Sequence, residues 1–396
     1  MTPKRVDDDE ILRYLEDHTY DETQKKFGIS RMTIARVKKR NKVKIMPNRI
    51  NLAIAGIGNA ASALIQGIEF YKARSKNLVG LLHPTFAGYH ISDIKITAAF
   101  DISKKKVNKT LNEAIRANDL EVIVDVKNQD VKVLMGKILD GVIEETAPLI
   151  DPSEEKSVDI VNVLKETNSE ILLCLLPSGA DEAVRFYAEE ALKAGCAFIN
   201  ATPSIIAGDK EIARKFQDAG LPLLGDDLQD QFGATIVHKI ILQQMVDLGV
   251  EIQESYALDV GGGAESLNTV HRTRHIKRDI KSKSVTSTLN IDAPIVAGTS
   301  DYVPHLGNGR NSMLWIVGRG FLGSEIKMDI KIQTKDGPNG GAILADVIRA
   351  TKIALQRGSS GPVNEICCYG FKSPPKQVET PQIAAENLAK YIMGVK

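Results

Sequence analysis

Two stretches of this 396-residue chain carry residue types whose spacing suits chemistry on phosphates and carbonyls. The first is Gly56-Ile57-Gly58-Asn59-Ala60-Ala61, a GxGxxA turn. Gly56 makes the tight turn, Gly58 lets the backbone approach a pyrophosphate, and Ala61 lets the next helix pack close to its strand. The first helical N–H groups, around Asn59 and Ala60, then face the phosphates. Asp101 follows the apolar run Ile94–Phe100, where a carboxylate holds the ribose of a dinucleotide and disfavours the 2′-phosphate of NADP. Its interval from Gly58 is about twice the usual ~20 residues, and the excess, Lys72–Asp93, reads as an insertion. An aspartate at this point also serves as a turn or helix cap. The second stretch is basic: Arg272, Arg274, Lys277, Arg278, Lys281 and Lys283. Lys277 and Lys281 are four apart and share one face of a helix. A buried lysine there stabilises an oxyanion or relays a proton, whereas a solvated basic surface has the same composition. Spacing alone leaves both readings open.

These residues need elements to hold them. Ile50–Ala55 (INLAIA) reads as a strand and Ser62–Tyr71 as the helix after the glycine turn. Glu170–Leu176 leads into Pro177-Ser178-Gly179 and the helix Asp181–Ala194; Ala197–Asn200 leads into Ala201-Thr202-Pro203. Leu221–Leu224 leads into Gly225-Asp226-Asp227 and a helix near Thr235–Leu248. Strands alternating with helices predict an α/β fold with a doubly wound Rossmann sheet. The turns then line the crevice at the strands' carboxyl ends, which brings Pro177, Ser178, Asp226 and Asp227 to a cofactor. Ser312–Val317 and Glu325–Gln333 alternate as strands of an antiparallel sheet. The expected domains are a small all-α module over 1–46 and a nucleotide-binding domain over 47–240, completed by 341–396. A second α+β sheet domain, catalytic and oligomeric, spans 241–340.

The front module reads as three helices. Ile11, Leu12 and Leu15 mark the first, within Asp7–Asp17, and Tyr20–Phe27 is the second, ended by Gly28. Ser30 caps the third, Arg31–Arg40. This is the helix-turn-helix pattern, in which Arg31, Met32, Thr33 and Arg36 face base edges. Arg31, Arg36, Lys38, Lys39, Arg40, Lys42 and Lys44, with no acid among them, form a phosphate-contacting stripe, so residues 7–44 are a candidate DNA surface. The whole chain has a net charge of only +1, which excludes a global field for nucleic acid or membrane. Cys174, Cys196, Cys367 and Cys368 lack the spacing of a disulfide framework or zinc knuckle. With no membrane-length apolar run and no signal peptide, the expectation is a soluble, cytoplasmic protein.

Taken together, the turns resemble the myo-inositol-1-phosphate synthase family in its archaeal and actinobacterial form. The stretches that carry the resemblance run from Ile54 to Gln377. They include AIAGIGNAASALIQGIEFY, LLPSGADEA, FINATPS, GDDLQDQFGATIVH, DGPNGG at Asp336–Gly341 and GFKSPPKQ at Gly370–Gln377. The resemblance implies an NAD-dependent cyclisation of D-glucose 6-phosphate to 1L-myo-inositol 1-phosphate. NAD+ oxidises C5, the adjacent carbon loses a proton, C6 attacks the C1 aldehyde, and NADH reduces the ring ketone. It further implies a homotetramer built through the second sheet. Lys277, Lys281 and Lys372 match the family's active-site lysines, and Asn268 matches a sugar-contacting asparagine. Asp226, Asp227 and Asp336 match carboxylates near the nicotinamide or a bound cation.

Several matched positions differ. Where the family has Asn-Val-Gly-Gly-Asn-Met-Asp, this chain has Asp259-Val260-Gly261-Gly262-Gly263-Ala264-Glu265. Arg310 stands for a lysine, Gln229 and Asp230 for a lysine and a serine, and Gly337 for a serine. Asp226, Asp227, Asp259, Glu265 and Asp336 offer oxygens to a divalent cation. The altered residues keep two other readings in view. One is a divergent sugar-phosphate cyclase or oxidoreductase, and the other a DNA-binding regulator that senses NAD or a sugar phosphate.

Overall fold

The computed structural model describes residues 10–11, 14–15, 20–40, 49–72, 74, 78–117, 121–126, 130–286, 293–378 and 380–394. They fall into two compact units, Met1–Arg49 and Ile50–Lys396. In the first unit the helices Tyr20–Phe27 and Arg31–Arg40 have the expected bounds. Gly28 takes φ 64°, the left-handed conformation that ends a helix, and Ser30 Oγ accepts the Thr33 N–H at 3.1 Å. Ile34 and Val37 are buried while Met32 is exposed. Of the expected first helix, Glu10, Ile11, Tyr14 and Leu15 are helical; its remainder, the Arg36, Lys38, Lys39 and Arg40 side chains, and Lys42 and Lys44 lie outside the described residues.

Among its described residues the second unit contains thirteen strands. They are β1 Ile50–Ala55, β2 Thr85–Phe86, β3 Tyr89–His90, β4 Ile94–Asp101, β5 Val133–Met135, β6 Ile171–Cys174 and β7 Ala197–Asn200. The rest are β8 Pro222–Leu224, β9 Glu251–Gly261, β10 Ile295–Tyr302, β11 Gly309–Arg319, β12 Glu325–Lys335 and β13 Gly361–Pro362. Seven of them form one parallel sheet in the order β13-β8-β7-β6-β1-β4-β5. β6 and β7 are buried at every position, as parallel strands covered on both faces must be, which explains the unbroken runs ILLC and AFIN. The chain winds outward from β1 in both directions. The switch between β1 and β6 opens a crevice at the carboxyl ends, where Gly56, Asp101, Pro177-Ser178 and Asp226-Asp227 all lie.

The helix expected near Gly341–Arg357 begins earlier, at Asp336, directly after β12. Asp336–Gly341 is thus its opening turns. Glycine weakens a helix by about 1 kcal/mol relative to alanine, but here it permits close packing on the helix Asn59–Lys72. A Cβ on Gly337 would sit 2.8 Å from the Asn59 carbonyl oxygen, and one on Gly341 would touch Ala63. The segment inserted before β4 folds into the β2–β3 hairpin. Arg349 pins that segment, donating to the carbonyls of His83, Pro84 and Tyr89.

The second sheet has the order β10-β9-β11-β12. β11 is antiparallel to both neighbours as expected, while β10 runs parallel to β9. Its inner face packs on the helix Ala234–Asp247, around Leu242, Ile316 and Leu314. On the outer face Tyr256 and Leu258 stand opposite Trp315 and Met313. Among the described residues no helix is long and apolar enough to cross a membrane.

Candidate active site

The basic stretch divides between the two readings its composition allows. A π turn at Thr269–Thr273 joins the short helix Ala264–Asn268 to the helix Arg274–Thr286. On that helix Lys277 and Lys281 turn inward and are buried, while Arg274, Arg278 and Lys283 face solvent. Lys277 Nζ donates to Asp227 Oδ1 at 2.9 Å and lies 3.4 Å from Glu265. Lys372 Nζ approaches the same Asp227 oxygen at 3.6 Å and donates to the Leu228 carbonyl at 2.6 Å. Lys281 is paired with Asp259, whose other oxygen accepts from Ser312 Oγ at 2.5 Å. Arg310 binds both oxygens of Asp336 at 2.7 Å and stands 3.8 Å from Asp259. The contacts form two networks, Lys277 and Lys372 with Asp227 and Glu265, and Lys281 and Arg310 with Asp259 and Asp336, which lie within electrostatic reach of one another.

Burial and pairing set the charges. Burial opposes the charge of Asp227, but Lys277 and Lys372 outweigh it and hold the carboxyl down at about 2. Asp259 is likewise held at about 2, with Lys281 and Arg310 overcoming burial. The two lysines diverge although they sit one turn apart. Burial works against Lys277, yet Asp227 and Glu265 together raise its pKa above the ordinary lysine value. Burial lowers that of Lys281, and together with repulsion from Arg310 and Lys372 it outweighs what Asp259 restores. The proton is therefore held more firmly on Lys277 than on Lys281.

The paired aspartates after β8 also part ways. Asp227 enters the lysine cluster. Asp226 turns the other way, accepting the Ile206, Ala207 and Gly208 N–H groups and the Asn200 amide at 2.7–3.1 Å. Burial pushes its pKa up to about 6 despite those donors. Both oxygens of Asp226 thus hold the 206–208 loop. Asp101 is also engaged by its own neighbours. Its carboxylate accepts the Ile57, Ile102 and Ser103 N–H groups at 2.8–2.9 Å and lies 3.8 Å from Lys106. It fastens the glycine turn to the end of β4, a capping role that its position also allows.

The remaining expected contacts line the crevice. Gly56 has φ 92°, and a Cβ there would lie 2.7 Å from the Leu175 carbonyl oxygen, so only glycine fits. Gly58 has open space where a side chain would be, and Asn59 and Ala60 begin the helix. Next to Pro177, the Ser178 N–H donates to Glu265 at 2.8 Å and the Ser178 hydroxyl to the same carboxylate. Glu265 thus ties the β6 turn to Lys277. Three buried oxygens around the crevice have no hydrogen-bond partner: Asn59 Oδ1, Asp227 Oδ2 and Asn268 Oδ1. Buried polar groups are normally satisfied, so these mark the place for a polar ligand.

Among the described residues no group of three or more His, Cys, Asp or Glu side chains is arranged to hold a metal. Of the carboxylates that offer oxygens to a divalent cation, Asp227, Asp259, Glu265 and Asp336 face lysines or Arg310, and Asp226 faces backbone N–H groups and the Asn200 amide. Asp230, one of the positions that differ from the family, lies within electrostatic reach of Lys372 and Arg310. Ser312 carried no charge signal, although the alternation of β11 points it inward.

Comparison with known proteins bears on this geometry. The family description for myo-inositol-1-phosphate synthase matches residues 233–337. Inositol-3-phosphate synthase of Mycolicibacterium smegmatis is 40% identical over 357 residues, covering 87% of this chain and 98% of that protein. The crystal structure of a protein named Ari2 aligns with a TM-score of 0.71 at 30% identity, over 87% of this chain and 98% of that one. Inositol-3-phosphate synthase from Caenorhabditis elegans aligns with a TM-score of 0.69 at 15% identity, over 88% of this chain and 86% of that one, a likeness of fold.

Proposed function

The chain belongs to the myo-inositol-1-phosphate synthase family, and from that premise we propose that it isomerises D-glucose 6-phosphate to 1L-myo-inositol 1-phosphate. The observation that carries this reading is the buried lysine cluster at the carboxyl edge of a Rossmann sheet, with unpaired oxygens beside it.

NAD fits the crevice: Gly56 and Gly58 leave room for a pyrophosphate, the helix from Asn59 offers its N–H groups, and the Asn59 oxygen awaits a donor. When bound, it supplies the oxidation at C5 and the closing reduction, so the reaction is redox-neutral. The protein's own groups manage the charge and the protons between those events. Lys277, kept charged by Asp227 and Glu265, neutralises the oxyanion that develops as the carbon beside the ketone is deprotonated. Lys281, with its lowered pKa, relays that proton. Lys372 adds a second positive charge on the other side of Asp227, and Asn268 offers its carbonyl to a sugar hydroxyl. Asp259 and Arg310 replace a neutral amide and a lysine of the family, and each now neutralises a neighbour. This repairing of charges favours a cyclase whose proton relay is retuned, with Lys281 as the mobile group.

Purified protein incubated with glucose 6-phosphate and NAD+ should yield an inositol monophosphate without net accumulation of NADH, resolved by chromatography and phosphorus NMR. Absence of a cyclised product under these conditions contradicts the reading.

The outer face of the second sheet, with Tyr256, Leu258, Met313 and Trp315, supports assembly into a homotetramer. Light scattering that gives a monomer contradicts it. The front unit supports a further reading, contact with DNA through residues 7–44, from its left-handed Gly28, capped third helix and exposed Met32. Mobility shifts with and without residues 1–49 test it, and identical DNA affinity of the two proteins rules it out.

A further inference from the structure

One member of the basic stretch is neither solvated nor part of the two lysine networks. Arg272 sits in the π turn Thr269–Thr273, just before the helix that carries Lys277, and its side chain is largely buried. The guanidinium donates to the Asp140 carbonyl at 2.8 Å and to the Gly179 carbonyl. Gly179 belongs to the turn after β6 and Asp140 to the loop after β5, both at the carboxyl edge of the parallel sheet. The contact is close: Gly179 has φ 83°, and a Cβ there would lie 2.7 Å from Arg272 Nε. The Asp140 carboxylate accepts the Glu182 and Ala183 N–H groups at 2.9 Å, so the same loop also caps the helix Asp181–Ala194.

A second arm reaches that turn from the same segment. Glu265 accepts the Ser178 N–H and lies 3.4 Å from Lys277. Glu265 and Arg272 therefore hold consecutive residues of the β6 turn. The contacts close a circuit that runs from Lys277 through Glu265, Ser178-Gly179 and Arg272, then back along the chain to Lys277. Moving the lysine helix away from the sheet breaks these bonds together. Arg349 shows what an arginine devoted to the fold does, since its carbonyl acceptors lie in its own helix and in one inserted segment. Those of Arg272 lie in two loops where such a sheet receives a dinucleotide, and single π turns recur at functional sites.

We propose that Arg272 is a positioning residue: it ties the lysine helix to the loops after β5 and β6 and keeps the crevice closed on the dinucleotide between the oxidising and the reducing step. This rests on the reading of the protein as a cyclase that recycles NAD, and it names the residue on which the recycling depends. In that reading the electron pair removed with the C5 hydrogen returns to the same sugar. An opening of the crevice between the two steps lets the reduced cofactor escape and strands the oxidised sugar. Arginine suits this task because its planar fork presents several N–H donors in fixed directions and so spans two carbonyls of separate loops. A lysine ammonium is a compact point charge, and in its place it secures one loop and releases the other.

The test uses the full chain and its Arg272→Met and Arg272→Lys variants, with folding checked by circular dichroism and denaturant melts. NADH binding is followed by fluorescence in the absence of sugar. Turnover of glucose 6-phosphate is then run with pyruvate and lactate dehydrogenase present, so that any NADH that escapes is recorded as lactate. The wild type should bind NADH and form little lactate. Arg272→Met should bind NADH about 10-fold more weakly, and its ratio of lactate to inositol monophosphate should rise. Arg272→Lys should resemble Arg272→Met more than the wild type. Unchanged NADH affinity and an unchanged product ratio in folded Arg272→Met, whatever its stability, make Arg272 a fold residue and overturn the proposal. Full rescue by Arg272→Lys overturns the two-loop bridge. Arg272-dependent NADH binding without any cyclised product keeps the positioning role and overturns the proposed reaction instead.

Discussion

Asp346 and Asp227 are both buried aspartates that hold buried cations, in two regions of the same unit. Asp346 accepts Arg349 at 2.6 Å through one oxygen, and His83 and the Tyr369 hydroxyl at 2.7 Å through the other. Arg349 spends its remaining N–H groups on the carbonyls of Ala345, His83, Pro84 and Tyr89. That network is closed, and it ties the inserted hairpin to the helix Asp336–Gln356. Asp227 gives one oxygen to Lys277 and Lys372 and leaves the other without a partner. The Asn268 side-chain oxygen has no partner either. Closed networks hold a fold together; the open one is where a ligand completes the bonding.

The two networks should therefore fail differently. Lys277→Met should lower kcat by about 10²- to 10⁴-fold, the usual scale for removing a group that handles charge or protons. Lys372 remains beside Asp227 in that variant, so its loss of unfolding free energy should be smaller than that of Asp346→Ala. An equal loss would make Lys277 another Arg349 and erase the distinction. Asp346→Ala should do the opposite, costing about 3–5 kcal/mol of unfolding free energy by leaving Arg349 buried and unpaired. Its kcat at a temperature where the protein remains folded should change little.

A smaller effect separates pH dependence of folding from that of turnover. His238 is fully buried against Ser255, and burial pushes its pKa down to about 4. The unfolded chain takes up a proton on this histidine near pH 6.5, so the folded state loses up to about 3 kcal/mol as pH falls from 6.5 to 4. Asp226, raised to about 6, works in the opposite sense over most of that range, from about pH 6 down to about 4. Comparing wild type with His238→Gln in denaturant melts isolates the histidine: the variant should lack that share of the acid loss. The smallest effect concerns Asp259→Asn, which restores the amide of the family and removes the partner of Lys281. The lysine-dependent limb of the pH–rate profile should move to lower pH by about 1–3 units. An unmoved limb would mean that Lys281 does not carry the titrating proton.

Much of the scaffold was legible because its signals are local. The strand–glycine–helix unit at Ile50–Lys72, the helix Asp181–Ala194 and the strand Ala197–Asn200 follow from apolar runs and turn residues. Lys277 and Lys281 were legible as a pair through their spacing. Which residues of the basic stretch face inward depended on the sheet and loops that cover the helix. Asp226 and Asp227 illustrate the limit. Adjacent residues of one type serve a loop and a site respectively, because the chain reverses between the 204–208 loop and the lysines. Asp101 shows the same limit in another form, since a carboxylate at the end of a second strand can cap a turn as readily as bind a ribose. The helix beginning at Asp336 was obscured by glycines whose value lies in contact with Asn59 and Ala63, far away in sequence.

The central claim is that the open network around Asp227 and Lys277 completes itself around a hexose phosphate and returns its redox equivalents to the same molecule. Glucose 6-phosphate deuterated at C5, incubated with the protein and unlabelled NAD+, tests this most directly by mass spectrometry and NMR of the product. The account predicts an inositol monophosphate that keeps the deuterium on the carbon it came from, with no build-up of NADH. An acyclic product, or NADH formed in step with substrate loss, would contradict it.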